Sequence, residues 1–178
     1  MKLHEMHKKK KSGLVLKLDF KKAYDKMKWP FLQQVLRIKG FAPKWCAWID
    51  QVVSKGAVGV KVNDDLGHYF QTRKGVRQRD PLSPIHFDIV RSDMLAVLIA
   101  RTKECGQVTG VILYLVDDGL SILQYADGTI LFMEDDLDQA KNVKLLLGAF
   151  EQLSGLRSIF IKSEFLCYGE AKDREMEY

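Results

Sequence analysis

The sequence has few cysteines, no long apolar run and no internal repeat, and each absence excludes a class of protein. Its three cysteines are far apart and form no C-x-x-C pair, which argues against a disulfide scaffold or a zinc module. No apolar run approaches the roughly 18 residues that a membrane span needs. The N-terminus lacks the apolar segment of a signal peptide. The four histidines have no ligand-like spacing. These absences predict a reduced, intracellular protein.

What remains is the composition of one folded domain: 178 residues, 47% hydrophobic and 29% charged. The net charge of +5 is unevenly spread, because the first 30 residues carry ten lysines against three acids. Four of these lysines form an unbroken run: Lys8, Lys9, Lys10 and Lys11. The run indicates either a contact surface for a polyanion such as nucleic acid or a solvated chain end that keeps the protein soluble.

Hydrophobic periodicity predicts an α+β fold with an antiparallel sheet flanked by helices. The predicted strands cover residues 14–18, 58–62, 121–125 and 129–133, with a strand starting at residue 69 and two short strands within 156–168. The predicted helices run from Trp29 to a stop at Gly40 and over residues 43–54, 84–102 and 137–153. Residues 63–67 have the composition of a turn.

Two carboxylates stand at the ends of predicted strands. Asp19 directly follows the first strand, and Asp127 lies at the tip of a predicted hairpin. Neighbouring strands can bring two such acids together to hold Mg²⁺, which activates an attacking hydroxyl and stabilises a leaving pyrophosphate. In the alternative interpretation, Asp19 caps a strand end and Asp127-Gly128 is an ordinary hairpin turn. The polar loop at residues 75–84 is a third candidate binding element.

Several motifs, in this order along the chain, resemble the reverse transcriptase of non-LTR (LINE-type) retrotransposons, and most of all those of plant elements. The motifs are LDFKKAYD at residues 18–25, RQRDPLSP at 77–84, YADG at 125–128, FEQLSGL at 150–156 and KSE at 162–164. The resemblance extends over nearly the whole chain, from residue 1 to about residue 170.

The resemblance implies the palm of a right-hand polymerase over residues 14–178, preceded by the end of the fingers at residues 1–13. It implies an RNA-directed DNA polymerase, a nucleotidyltransferase that extends a DNA 3′-hydroxyl on an RNA template by two-metal phosphoryl transfer. The expected partners are an RNA template, a DNA primer and deoxynucleoside triphosphates, with two Mg²⁺ ions as cofactors. No membrane is expected, and the expected location is the nucleus or the cytoplasm.

The resemblance also implies roles for individual residues. Asp19 and Asp127 would be the catalytic metal ligands, and Tyr24 would exclude a ribose 2′-hydroxyl. The remaining nucleotide-binding positions would be Phe20, Gln78 and Lys162. The expected nucleic-acid contacts are Lys8, Lys9, Lys10, Lys11 and Arg77.

Three departures from the family pattern predict a catalytic defect. Gly128 stands where the family has a second aspartate, Arg79 where it has glycine, and Ile159 where it has asparagine. Most of the fingers and any thumb are also absent from the sequence, so we expect a degenerate, truncated copy. The alternatives are a non-catalytic nucleic-acid-binding remnant and a translated remnant with no selected function.

Overall fold

The computed structural model describes residues 12–20, 23–77, 81–111, 119–125, 128–157, 164–169 and 171. The chain divides into two compact units. The first unit comprises Met1–Lys21, Leu95–Ala149 and Ser158–Tyr178, and the second comprises Lys22–Met94 and Phe150–Arg157. Each unit has its own set of buried apolar side chains.

Strands and helices follow the predicted order along the chain. The strands are β1 (Gly13–Leu18), β2 (Ala57–Val58), β3 (Lys61–Val62), β4 (Asp65–Leu66), β5 (Phe70–Gln71), β6 (Ile122–Tyr125), β7 (Gly128–Glu134) and β8 (Glu164–Tyr168). The helices are α1 (Ala23–Lys26), α2 (Trp29–Ile38), α3 (Pro43–Ser54), α4 (Ser83–Asp88), α5 (Met94–Glu104) and α6 (Leu137–Ser154). A π-helical turn, Ile89–Asp93, lies between α4 and α5.

A four-stranded sheet in the order β6-β7-β1-β8 forms the first unit. Its described pairings are all antiparallel. Every second residue of β1, from Leu14 to Leu18, is buried, and so are the residues of β7 paired with them, from Met133 to Thr129. This alternation is typical of an antiparallel sheet that covers a core with one face. The predicted α+β fold with an antiparallel sheet is confirmed.

Helices α2 and α3 form the main part of the second unit. Helix α2 has proline in its first turn, where no backbone N–H is needed, and it ends two residues before Gly40, which has φ +80°. Its buried residues are Phe31, Leu32, Gln33, Val35 and Leu36. Cys46 and Ile49 are the buried residues of α3. The ring of Phe31 meets Phe150 edge-on, with 6.4 Å between centroids.

The predicted half-buried strand at residues 58–62 is wrong. The segment forms the separate two-residue strands β2 and β3, and Val58, Val60 and Val62 are all exposed. The reason is that β2 pairs with β5, and β3 with β4, in sheets of two strands each. Alternating valines indicate that a strand has an apolar face, but they do not establish that another element covers it.

Other predictions are confirmed in modified form. The predicted helix over residues 84–102 is continuous but contains the π-helical turn. Of the two strands predicted within residues 156–168, β8 is described, and residues 158–163 lie outside the described residues. The predicted end of the fingers covers residues 1–13, of which residues 1–11 also lie outside them. None of the helices in the described ranges has the length and hydropathy to span a bilayer.

Tyr168 packs directly against Gly13 at the edge pairing of β1 and β8. A Cβ at position 13 would collide with the Tyr168 ring and hydroxyl, so this contact requires glycine. The hydroxyl is buried and has no hydrogen-bond partner among the described residues. Burial, with a smaller contribution from the nearby Glu134 carboxylate, raises the pKa of Tyr168 from 10.0 to about 12.

We expect Tyr168→Phe to stabilise the chain by about 1 kcal/mol at neutral pH, because it removes a buried hydroxyl for which the described residues offer no partner. The phenol stays neutral in the folded chain up to a higher pH than in the unfolded chain. Ionisation of Tyr168 therefore leaves the stability of the unmodified chain unchanged below pH 10.0 and lowers it as the pH rises from 10.0 towards about 12. Urea unfolding across this range should show a shallower loss of stability in Tyr168→Phe than in the unmodified chain.

Tyr125→Phe is the matched control, because Tyr125 is 84% exposed. It should leave the unfolding free energy at neutral pH unchanged. Identical pH profiles for Tyr168→Phe and the unmodified chain would contradict the assignment.

Candidate active site

The end of β1 lies beside the start of β7. Leu18, the last residue of β1, pairs with Thr129, and both side chains are buried. If this register is continued by one residue beyond β1, position 19 falls opposite Gly128. Because side chains alternate between the two faces of a strand, positions 19 and 128 share the face opposite to the buried one. The side chain of Asp19 is accordingly exposed.

The hairpin that contains Asp127 is the one that the sequence predicts. Tyr125 and Gly128 form the last pair of the β6–β7 ladder, so a two-residue link, Ala126-Asp127, joins the strands. Asp127 itself lies outside the described residues. It is nevertheless bonded directly to Gly128, the residue opposite Asp19.

The backbone does not require glycine at position 128. Gly128, which the structure describes, has no positive φ, and a Cβ there would lie 3.4 Å from the carbonyl oxygen of Tyr125, an ordinary contact distance. Gly128 is the first residue of β7 and closes the hairpin opposite Tyr125, which is compatible with the interpretation of Asp127-Gly128 as an ordinary hairpin turn. A Cβ, and so the first atom of an aspartate side chain, is accommodated at this position.

The described residues supply only part of a metal site. No group of three or more His, Cys, Asp or Glu side chains within them could hold a metal ion. Of the two predicted ligands, Asp19 is described and Asp127 is not. A divalent cation such as Mg²⁺ is held by one or two carboxylates together with substrate oxygens and water. Asp19 fits the donor chemistry of such a site but does not complete it.

In the second unit, Tyr24 lies on the short helix α1, which is held through its backbone. The Val76 amide donates to the carbonyl oxygen of Tyr24 at 2.7 Å, and the Gly75 amide donates to that of Met27 at 2.8 Å. A helix of four residues has little stability alone. These two hydrogen bonds therefore help to fix the position of Tyr24.

The contact between this loop and α1 depends on Gly75. Its φ is +87°, and a Cβ would lie 2.9 Å from the carbonyl oxygen of Asp25. The indole Nε1 of Trp29 donates to the Gly75 carbonyl oxygen at 2.5 Å. Arg77, a predicted nucleic-acid contact, follows two residues later and is exposed.

The ring of Tyr24 stacks on Phe87 of α4. The ring centroids are 4.7 Å apart and the planes are inclined by 27°. Phe87 is buried, and sequence reasoning did not identify it as part of a site. Helical periodicity predicts that such a residue is in the core but not which side chain it contacts. Its aromatic side chain was the only available signal.

Phe20, a predicted nucleotide contact, is buried, and its role stays a prediction. The remaining predicted site residues lie outside the described residues: Lys8, Lys9, Lys10, Lys11, Gln78 and Lys162. The same holds for two of the three departures from the family pattern, Arg79 and Ile159. The structure therefore describes four predicted site residues: Asp19, Phe20, Tyr24 and Arg77.

A family model described as reverse transcriptase (RNA-dependent DNA polymerase) matches residues 1–178. The chain belongs to the reverse transcriptase family. The family resemblance carried by the motifs is thereby confirmed. Enzymes of this family use divalent metal ions and bind an RNA template and a primer.

Curated relatives of this reverse transcriptase chain are proteins of transposable elements. The chain is 27% identical over 173 residues to the transposon TX1 149 kDa protein of Xenopus laevis, and the match covers 90% of this chain. It is 26% identical over 132 residues, or 74% of this chain, to the Pol polyprotein of the type-2 retrotransposable element R2DM of Drosophila melanogaster. It spans only 13% and 12% of the length of these relatives. The predicted relationship to non-LTR retrotransposon reverse transcriptases is confirmed.

Solved structures with a similar fold include telomerases bound to a fragment of telomeric RNA. The Candida tropicalis enzyme matches with a TM-score of 0.67 and 18% identity, over 90% of this chain and 26% of that one. The Candida albicans enzyme matches with a TM-score of 0.65 and 16% identity, over 88% and 28%. At these identities the likeness concerns the fold alone, and it confirms a polymerase palm-like architecture.

We expect Gly75→Ala to destabilise the chain by about 1–3 kcal/mol, because a methyl group there crowds the backbone of Asp25. Gly40→Ala is the matched control, since Gly40 has a similar φ of +80° but nothing within 4 Å of its added Cβ. The difference in unfolding free energy between the two variants gives the cost of the clash between the added methyl group and the Asp25 backbone. Equal destabilisation by both variants would show that φ strain alone is responsible.

Proposed function

We propose that this chain is the palm of an RNA-directed DNA polymerase over residues 14–178, with the end of the fingers at residues 1–13. We further propose that it is a degenerate copy from a plant element, acts in the nucleus or cytoplasm, and is catalytically impaired. The main support is the register of β1 with β7, which, continued by one residue, would bring Asp19 opposite Gly128. Of these two positions, 19 has a carboxylate and 128 has none.

In the proposed reaction, a DNA 3′-hydroxyl paired to an RNA template attacks a deoxynucleoside triphosphate, and pyrophosphate leaves. Phosphoryl transfer depends mainly on in-line positioning and on neutralising charge that develops on the phosphate oxygens. Asp19 and Asp127 would hold Mg²⁺ ions, which supply that neutralisation when bound. The exposure of Asp19 supports its role, because a ligand must reach both the ion and the phosphates.

The other proposed roles concern the nucleotide and the nucleic acid. The ring of Tyr24, held by its backbone and by Phe87, would exclude a 2′-hydroxyl by its bulk. The proposed nucleotide contacts are Phe20, Gln78 and Lys162. The proposed contacts to nucleic-acid phosphates are Lys8, Lys9, Lys10, Lys11 and Arg77, and binding through such cations weakens as salt is raised.

The proposed impairment follows from the charge and the donor atoms that position 128 lacks. Without a carboxylate at position 128, the site attracts a divalent cation less strongly and lacks a group that could bind it directly or orient its water ligands. Arg79 is a second unfavourable change, since it replaces the small residue of the family pattern with a long cation.

The test is primer extension on an RNA template with Mg²⁺, with this palm grafted into the fingers and thumb of an intact relative. Three versions are compared: the sequence as it stands, Gly128→Asp, and Gly128→Asp with Arg79→Gly. We expect extension only from the repaired versions. Comparable extension by the unrepaired version would contradict the impairment, and no extension by any version would contradict the polymerase assignment.

On the ungrafted chain, we expect Gly128→Asp to raise the affinity for Mn²⁺ by about 10–100-fold, the range typical of gaining or losing a supporting group at a metal site. The reason is that the new carboxylate would lie across from Asp19. Titration calorimetry gives the affinity, and Asp19→Asn in the same background should reverse the gain.

Gly148→Asp is the matched control for added charge. Gly148 is exposed on α6, and nothing lies within 4 Å of a Cβ built there. An equal gain in Mn²⁺ affinity from Gly148→Asp would attribute the effect to net charge and would contradict a local site.

A further inference from the structure

A buried arginine lies against the ring that supports Tyr24. Arg91 is in the π-helical turn and is 1% exposed. Its guanidinium carbon lies over the Phe87 ring, 5.1 Å from the centroid. Phe87 therefore contacts both Arg91 and Tyr24. The ring centroids of Phe87 and Tyr24 are 4.7 Å apart. π-Helical turns are rare and occur often at functional sites.

Filling space does not explain an arginine at this position. Removing a guanidinium from water costs several kcal/mol unless other groups compensate, and an unbranched apolar side chain would occupy the same volume without that cost. The compensation described includes the face of Phe87, the hydroxyl of Ser92 at 3.1 Å and the Asp88 carboxylate at 3.7 Å. The Asp88 side chain is 60% exposed, so this ion pair is solvent-screened and adds little.

The geometry gives the guanidinium a directional role. A cation over an aromatic face favours one ring position, because the attraction depends on the ring quadrupole. Stacked aromatic rings in turn favour an offset geometry with centroids 4.5–7 Å apart. The backbone of Tyr24 is held separately by the Val76 amide. The stacked ring of Phe87 is therefore a contact through which the position of the Tyr24 ring can be influenced.

We propose that Arg91 is a positioning residue for Tyr24. The guanidinium holds the Phe87 ring in position, and the Phe87 ring in turn holds the Tyr24 ring. The position of the Tyr24 ring then determines how strongly the site prefers deoxyribose to ribose. The effect on sugar discrimination rests on the function proposed above for Tyr24, whereas the coupling between Arg91 and Tyr24 rests on the side-chain contacts alone. Two measurements separate these steps.

The first measurement is ¹⁹F NMR of the full chain labelled with 3-fluorotyrosine, with the Tyr24 resonance assigned by Tyr24→Phe. We expect Arg91→Met, which keeps length but removes charge, to shift or broaden the Tyr24 resonance. Arg37→Met is the matched control, because Arg37 is exposed on α2, and it should leave that resonance unchanged. An unchanged Tyr24 resonance in folded Arg91→Met overturns the proposal.

A second pair of variants tests whether the effect of Arg91 on Tyr24 passes through Phe87. In a Phe87→Leu background, adding Arg91→Met should cause no further change at Tyr24, because the shared ring is already absent. A further change of the same size would overturn the route through Phe87. If Arg91→Met does not fold, Arg91→Lys takes its place, since it keeps the charge and loses the planar guanidinium. A shifted Tyr24 resonance supports the proposal, and an unchanged one overturns it.

The second measurement compares the dissociation constants of dATP and ATP for the full chain. We expect Arg91→Met to lower the preference for dATP by about three- to tenfold, corresponding to about 0.7–1.4 kcal/mol. A purely structural role would lower thermal stability and leave this ratio unchanged, which would overturn the effect on selectivity. If neither nucleotide binds the unmodified chain, the function proposed for Tyr24 fails, and the ¹⁹F experiment still decides the coupling.

Discussion

The antiparallel register of β1 with β7 is the constraint on which the candidate active site depends. Leu18 pairs with Thr129 on the buried face, and the same register, continued by one residue, brings Asp19 opposite Gly128 on the other face. A slip of one residue would turn the leucines of β1 outward and Asp19 inward, which the loss of buried apolar area opposes. The exposed Lys17–Glu164 ion pair adds little to this specificity. Burial of the β1 leucines thus determines on which face of the sheet Asp19 lies.

The nucleotide part of the proposed function depends on a different kind of constraint, a close backbone approach. Gly75 allows its loop to reach α1, and the hydrogen bond from Val76 then holds Tyr24. The Tyr24 ring is supported separately by Phe87. Because α1 has only four residues, its position comes from these neighbours and not from helix propensity. Changes at Gly75 or Phe87 should therefore act on Tyr24 without altering the sheet.

The elements that the sequence predicts correctly are those with a local signal. The first strand, the hairpin around Asp127 and the main helices follow from alternation, helical spacing and a two-residue link. The exposure of Val58 was not predictable, because alternation does not show whether a face is covered. The contact between Phe87 and Tyr24 was also not predictable, since it joins residues distant in sequence. The sequence places Gly128 in a turn, and the strand pairing shows that it is also the first residue of β7.

The most direct test of the account is whether positions 19 and 128 face each other. Directly opposed residues of antiparallel strands have Cα atoms 4.5–5.5 Å apart, within the range that a disulfide bridges. With the three native cysteines replaced by alanine, Asp19→Cys with Gly128→Cys should form a disulfide under mild oxidation. Lys17→Cys with Gly128→Cys, on the same face but two residues out of register, should not. Bridging of the second pair and not the first, measured by mass spectrometry, would contradict the register and the site built on it.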